Sequence, residues 1–158
     1  MKKFGKLEAI LWSIAFPGFP QLLLHQYVKG ILFVLLEIII NMKSHFNSAI
    51  MLSFLGKTRE AAEVVNYQWL LFYPCLYFFS MWDAYRNTLD NDEYHHYIPF
   101  AISAYFVTIG LMVSPQITIF EIFFGPIFLP IIFVIPGLFI GLFIRKLLLR
   151  KQFQNKEK

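Results

Sequence analysis

Charged residues and cysteine are both scarce in this sequence. Asp, Glu, Lys and Arg make up 15% of the 158 residues, whereas a soluble domain usually carries about 25% charged residues. This scarcity excludes a water-covered surface around most of the chain. The only cysteine is Cys75, so an intramolecular disulfide, a CxxC redox site and a cysteine metal cluster are excluded as well.

Signatures of catalysis are also missing. The sequence contains no HExxH, GxSxG, Walker A or GxGxxG motif. The loop at residues 90–96 combines carboxylates with His95 and His96, but it lacks the spacing of a calcium loop or a zinc site, which favours a solvated loop. We therefore expect a protein that is not an enzyme, with no catalytic residues, no metal site and no cofactor.

Apolar residues are abundant instead. They make up 58% of the chain and include 19 Phe, more than one small core could hide. The net charge is +4, but the basic residues lie at the chain ends beside apolar segments, which argues against nucleic-acid binding. The composition predicts an all-α integral membrane protein whose principal partner is the lipid bilayer.

Several apolar stretches approach the length of a membrane span. A spanning helix needs about 20 mostly apolar residues. Residues 7–24 are broken by prolines and a glycine, which predicts a short or re-entrant helix and a bend. Spans are predicted at 27–41 or slightly beyond, 67–82 with a possible kink at Pro74, 97–113, and within 117–144. We thus expect about four transmembrane helices after the N-terminal helix.

Two connecting regions are ambiguous. Residues 46–56 have apolar side chains at helical spacing and precede a polar stretch, which predicts an interfacial helix. Residues 117–144 are longer than one span needs and are interrupted by glycines and prolines. They predict either a short helix followed by a span, which we favour, or a broken or re-entrant helix of the kind found in transporters.

The distribution of positive charge predicts the orientation in the membrane. Basic side chains near both chain ends favour the cytoplasm, so the number of crossings is even. In the simplest arrangement, residues 7–24 enter the membrane and return on the same side, and the four predicted spans cross it. Residues 43–66 then lie outside the cell and Arg86 lies inside. The alternative has six crossings, with the first two regions as a hairpin and the last region passing twice. Either arrangement predicts a multi-pass plasma-membrane protein forming a single membrane domain, 1–158.

Three charged residues beside or within apolar segments are the candidate polar sites. Glu37 lies inside an apolar helix, where a charge costs about 2.5 to 3.5 kcal/mol at mid-bilayer. Helical spacing places it on one face with Gly30, Phe33, Asn41 and Ser44, facing the bundle or a partner. The favoured interpretation is a protonated or hydrogen-bonded Glu that links helices. The alternatives are proton or cation coupling and a position near the membrane interface.

Asp83 and Arg86 stand three residues apart just after an apolar stretch. This spacing predicts an ion pair on one helix face at the membrane edge. We expect that pair to fix the position of the helix and not to take part in chemistry.

A short pattern in the first half of the chain resembles a known family. Pro17, Gly18, Gln21, Lys29 and Gly30 match the PGxGQxYxGxxxKG turn of the two-transmembrane-helix domain family and related small bacterial membrane proteins. The stretch at residues 82–86 resembles the one that closes the corresponding module in many such proteins. Where the family usually has Gly, Tyr and Gly, this chain has other residues: Pro20, Leu23 and His25.

The resemblance covers residues 1–88, a two-transmembrane-like module, and leaves 97–149 as a C-terminal helical pair with a basic tail. It implies membrane residence and no particular reaction, since members of the family share no single activity. From the sequence we expect an accessory, regulatory or protective subunit that acts through helix contacts with a membrane-protein partner. The alternative is a homo-oligomeric small transporter or channel subunit that uses Glu37.

Overall fold

The computed structural model describes residues 5–89 and 94–156, which are mostly α-helical, as predicted. The helices are α1 (Lys6–Ala15), α2 (Phe19–Leu23), α3 (Tyr27–Ser44), α4 (Phe46–Phe54), α5 (Thr58–Val64), α6 (Tyr67–Leu70), α7 (Tyr73–Arg86), α8 (Ile98–Val113) and α9 (Gly125–Lys156). A short antiparallel hairpin of β1 (Thr118–Ile119) and β2 (Ile122–Phe123) precedes α9.

Within the described residues, α9 is the one helix that is long and apolar enough to cross a membrane. Its apolar part, Gly125–Gln152, has 28 residues, and 28% of its most apolar 18-residue stretch is buried within the chain. The helix α3 has 18 residues but carries charged side chains, and α8 has 16 residues. One span is thus a candidate by length and composition, and the count of four spans stays a prediction.

The N-terminal helices α1 and α2 are joined by a sharp bend. Gly18 has a φ of +94°, in the left-handed region that favours glycine. A Cβ atom at this position would lie 2.6 Å from the carbonyl oxygen of Gly30, so glycine also permits the bend to approach α3. The helix α2 then leads to Gln26, whose side chain donates to Asn87 at 2.8 Å. The predicted break in the first apolar region is confirmed.

Helices α3 and α7 run antiparallel, and we call their interface the α3–α7 seam. Contacts along it pair Gln26 with Asn87, Lys29 with Asp83, Phe33 with Phe79, and Glu37 with Tyr73. The buried face of α3 consists of Gly30, Phe33, Glu37, Ile40 and Ser44. This spacing of three and four residues is that of one helix face, so the predicted inward orientation of Glu37 is confirmed.

The connection between α3 and α7 is a succession of short helices. His45, with a φ of +57°, separates α3 from α4. The predicted single span at 67–82 is divided, because α6 ends at Leu70 and α7 begins at Tyr73. Pro74 lies in the first turn of α7, where the missing N–H has no helical partner to lose. The interruption therefore precedes Pro74, and Pro74 does not kink a continuous helix.

Helices α8 and α9 form a close antiparallel pair. Glycines of both helices lie against the partner helix: a Cβ atom at Gly110 would lie 2.8 Å from the Phe133 ring, and one at Gly141 would lie 2.6 Å from Pro99 Cα. Small residues let two helix backbones approach each other, which is how helices commonly associate in lipid. These contacts hold α9 against α8.

The favoured interpretation of residues 117–144 agrees with the structure in its span, since α9 is a candidate membrane span, but its short entry helix is wrong, because the β1–β2 hairpin precedes α9. The alternative of a broken helix is wrong, because α9 continues without interruption through Pro130 and Pro136. The left-handed Gly125, with a φ of +67°, marks the actual break. Prolines inside apolar helices are tolerated in membrane proteins because neighbouring groups compensate for the lost backbone hydrogen bonds.

The core joins both halves of the chain. It includes Phe33 on α3, Leu76 on α7, Leu111 on α8 and Ile127 on α9. Large apolar side chains also cover the outside, such as Phe139, which is 72% exposed. Extensive exposed apolar surface is unusual for a monomeric soluble protein and normal for a surface covered by lipid or a partner.

Candidate functional site

Asp83 is the centre of a polar cluster between α2, α3 and α7. Its Oδ1 atom accepts a hydrogen bond from Lys29 Nζ at 2.8 Å, and its Oδ2 atom accepts one from Gln21 Nε2 at 3.2 Å. Gln21 also donates to the Ser80 carbonyl oxygen at 2.9 Å. Asp83 is 4% exposed and Gln21 is fully buried. Both carboxylate oxygens thus have partners, which is the arrangement expected of a structural link.

The predicted ion pair between Asp83 and Arg86 is wrong. Asp83 faces the α3–α7 seam and pairs with Lys29, which lies 54 residues earlier in the chain. The Arg86 guanidinium instead lies over the Trp82 ring, 5.3 Å from its centroid, in a cation–π contact. A spacing of three residues permits an ion pair on one helix, but here the Asp83 carboxylate pairs with Lys29 on a different helix.

The residues that carry the family resemblance are brought together by the fold. The backbone N–H of Gly18 donates to Ser80 Oγ at 3.1 Å. Pro17 is fully buried, and a Cβ atom at Gly30 would lie 2.5 Å from the Leu22 side chain. With Gln21 and Lys29 in the Asp83 cluster, all of the matching positions contribute to the packing of the N-terminal bend against the α3–α7 seam. Their role in this structure is architectural.

Glu37 lies in the same seam, about two helical turns beyond Lys29 on α3. It is 6% exposed, and its Oε1 atom accepts a hydrogen bond from the Tyr73 hydroxyl at 2.6 Å. Its Oε2 atom is buried and has no hydrogen-bond partner among the described residues. Ion pairs in that part of the chain join Lys29 to Asp83 and Lys57 to Glu60, and neither involves Glu37. The carboxyl group is therefore only half satisfied, unlike that of Asp83.

A cavity of about 380 Å³ adjoins Glu37, and we call it the Glu37 cavity. Its polar lining residues are Glu37, Asn41, Asn47, Tyr73 and Tyr77, and its apolar ones are Ala15, Phe16, Ile38, Met42, Phe46 and Ile50. Aromatic rings form one wall: the Phe46 and Tyr73 centroids are 4.4 Å apart, and Tyr73 stacks on Tyr77 at 4.9 Å. The volume lies near the lower end of the range for small-molecule sites.

A second cavity, of about 760 Å³, lies between the pair of helices α1 and α7 on one side and the pair α8 and α9 on the other, and we call it the interlayer groove. Its walls are almost entirely apolar and include Ile14, Met81, Val107, Ile131 and Leu138. Its polar lining side chains are Tyr73, Tyr77 and Tyr85 on α7, His96 just before α8, and Arg145 on α9. Nothing in the local sequence indicates this groove, because its walls come from helices far apart in the chain.

The other predicted features contribute little to a functional site. Residues 90–93 of the predicted solvated loop lie outside the described residues. Within residues 5–89 and 94–156, no group of three or more His, Cys, Asp and Glu side chains could hold a metal ion. Cys75 is an exposed free thiol on α7. The candidate residues with defined buried surroundings are therefore Glu37 and Asp83.

Sequence reasoning does not find the partners of either carboxylate. Tyr73 and Tyr77, which contact or flank Glu37, stand out in the sequence only as members of an aromatic segment. Their spacing of four residues on α7 indicates a common helix face, but which residue of α3 they oppose depends on the antiparallel register of the seam.

Comparison with known proteins adds no family assignment. The chain matches no family model, no curated protein and no solved structure. The resemblance at residues 17–30 accordingly stays a prediction, and the function has to follow from the geometry of this chain.

Proposed function

We propose that this chain is a non-enzymatic, multi-pass plasma-membrane protein that serves as an accessory, regulatory or protective subunit by holding a transmembrane helix of a partner protein. The observation that carries the proposal is the interlayer groove. The groove extends along α9 from Pro126 to Arg145, which corresponds to about 28 Å at 1.5 Å per residue. This length is close to the roughly 30 Å thickness of the hydrocarbon layer.

The groove fits the side chains along one face of an apolar helix, because about 760 Å³ spread over this length is too narrow for a whole helix about 10–12 Å wide. Helices in lipid associate through close packing and occasional polar contacts, and the groove offers mostly apolar walls with a few polar side chains, including Tyr73 and Tyr85. An occupant spanning the bilayer would place its apolar length against Ile131 and Leu138 and a polar terminus near Tyr85. A water-filled pathway would instead need polar groups along its length.

A photo-crosslinking experiment tests the partner. Ile131 and Phe143 lie on α9 with similar exposure, 58% and 62%, but Ile131 lines the groove and Phe143 lies on a different face of the helix and does not line it. We expect a photoreactive benzoylphenylalanine at position 131 to form a covalent adduct with one other membrane protein in native membranes. The same residue at position 143 is expected to give lipid adducts only. Mass spectrometry of the purified adducts identifies the occupant.

The matched positions make the result decisive. An adduct of two copies of this chain at position 131 would replace the accessory role with self-association. Lipid adducts alone at both positions would contradict the proposal of a partner helix.

We further propose that α3, the α6–α7 segment, α8 and α9 each cross the bilayer, with both chain ends in the cytoplasm. The antiparallel pairing of α3 with α7 and of α8 with α9 supports an up-and-down arrangement. The bend at Gly18 packs beside Ser80, partway along α7, which supports an N-terminal pair that enters and returns without crossing.

Cysteine accessibility tests this topology. In a Cys75→Ser background, we expect Lys57→Cys to react with a membrane-impermeant maleimide in intact cells. Arg86→Cys is expected to react only after permeabilisation. If α9 were the only span, residues 57 and 86 would lie on the same side, and the two variants would label alike.

The second candidate function is a homo-oligomeric transporter or channel subunit that uses Glu37. It is favoured by the unpartnered Oε2 atom of Glu37 beside a cavity. A few spans per chain are not enough to surround a pathway, so this function would require assembly of several copies. The Glu37 cavity would then bind the transported solute.

A further inference from the structure

We propose that the Glu37 cavity binds an organic ammonium ion that carries at least one N–H group and an apolar or aromatic substituent. The starting observation is the buried Oε2 atom of Glu37, which lacks a hydrogen-bond donor among the described residues. A carboxylate oxygen accepts hydrogen bonds and is expensive to bury without a partner. The most direct way to satisfy it is a donor that enters the adjoining cavity.

The lining favours a cation over other donors. A buried carboxylate is stabilised by an opposite charge, and no basic side chain of the described residues supplies one to Glu37. The rings of Phe46, Tyr73 and Tyr77 line the same cavity, and aromatic faces attract ammonium groups. An N–H donor to Oε2 would therefore gain both a charge-assisted hydrogen bond and contacts with the aromatic rings.

The size and apolar lining define the rest of the ligand. Apolar side chains such as Ile38, Met42 and Ile50 line much of the cavity. Apart from Glu37 and the two tyrosines, its polar lining side chains are Asn41 and Asn47. A hydrated metal ion would find a single carboxylate and few other ligands here. An anion would be repelled by the same carboxylate. A small amine with a hydrophobic body matches the roughly 380 Å³ available.

This inference names the ligand class of the site on which the second candidate function depends, but binding does not require transport. The probe is phenethylammonium, compared with 2-phenylethanol, a neutral molecule of similar shape. We expect saturable binding of radiolabelled phenethylammonium, one per chain, to the full chain in zwitterionic lipid nanodiscs by equilibrium dialysis. Empty nanodiscs give the background from partitioning into lipid. We expect no saturable binding of 2-phenylethanol.

The variants separate charge from shape. Glu37→Gln keeps the side-chain shape without the charge and is expected to weaken phenethylammonium binding at least about tenfold, an effect typical of losing a charge-assisted contact. Glu37→Asp keeps the charge and is expected to retain measurable binding, which shows that the site tolerates a change at this position. Glu60→Gln removes the carboxylate of an exposed ion pair and is expected to bind like the unaltered chain.

Each outcome decides the proposal. Absence of saturable binding to the unaltered chain, equal binding of 2-phenylethanol, or undiminished binding to Glu37→Gln overturns it. Size-exclusion chromatography and circular dichroism establish whether the variants are folded. If Glu37→Gln does not fold, the comparison of phenethylammonium with 2-phenylethanol on the unaltered chain decides whether the site requires a charged ligand. Counterflow of phenethylammonium in proteoliposomes tests transport separately: binding without counterflow supports this inference and contradicts the second candidate function.

Discussion

Gly18→Ala is expected to lower the free energy of unfolding by about 3 kcal/mol or more. Two effects combine at this residue. Its φ of +94° is strained for any residue with a Cβ atom. That atom would also lie 2.6 Å from the Gly30 carbonyl oxygen and 3.0 Å from the Val34 backbone nitrogen, neither of which can move aside as a flexible side chain could. Denaturant unfolding in detergent micelles, followed by circular dichroism, measures the loss.

Gly56→Ala is the matched control for this prediction. Gly56 also has a left-handed backbone, with a φ of +78°, but beyond its chain neighbours nothing lies within 4 Å of the position that a Cβ atom would take. The substitution therefore isolates backbone strain, and we expect a loss of about 1 kcal/mol. Equal losses in the two variants would show that the bend at Gly18 does not pack closely against α3.

Much of the helical layout follows from local sequence properties. The predicted span at 27–41 or slightly beyond corresponds to α3, and the stretch at 97–113 corresponds to α8 within one residue. Both are apolar segments bounded by polar or turn-forming residues, so their limits depend on neighbours in the chain. The break near Pro17 follows in the same way from the backbone restrictions of proline and glycine.

The errors arise where distant residues decide the structure. Pro130 and Pro136 predict interruptions by local rules, yet α9 continues through both of them. Gly137 and Gly141, which follow the prolines, fit closely against α8. Asp83 pairs with Lys29 and not with Arg86 because the register of the α3–α7 seam brings Lys29 to it. Local spacing gives the face of a helix on which a residue lies, but the opposing residue depends on tertiary packing.

The two carboxylates of the α3–α7 seam differ in a way that bears on function. Asp83 has a partner for each oxygen, and those partners come from α2 and α3, so the group can be explained by folding alone. Glu37 has one partner and adjoins a cavity. Several buried polar atoms of the described residues lack a hydrogen-bond partner, including Gln21 Oε1 beside Asp83, so what distinguishes Glu37 is the cavity that adjoins it. Folding alone accounts for Asp83, and the ligand proposed for Glu37 rests on that cavity.

Asp83→Ala is expected to lower the free energy of unfolding by about 2 to 3 kcal/mol. The variant removes one of the two acceptors of the fully buried Gln21 amide and the counter-charge of Lys29. Because the Lys29 side chain is 52% exposed, water can solvate its ammonium group, which keeps the loss below that of a fully buried ion pair. Denaturant unfolding in micelles measures the change.

The pair formed by Lys57 and Glu60 provides the comparison for Asp83. Its side chains are 54% and 55% exposed, and its atoms are 3.2 Å apart. Glu60→Ala should therefore cost at most about 0.5 kcal/mol. A double-mutant cycle with Lys29→Ala and Asp83→Ala should show a coupling free energy of about 1 kcal/mol or more. A coupling near zero, with equal losses for Asp83→Ala and Glu60→Ala, would contradict the view that the Asp83 cluster holds the N-terminal bend against the α3–α7 seam.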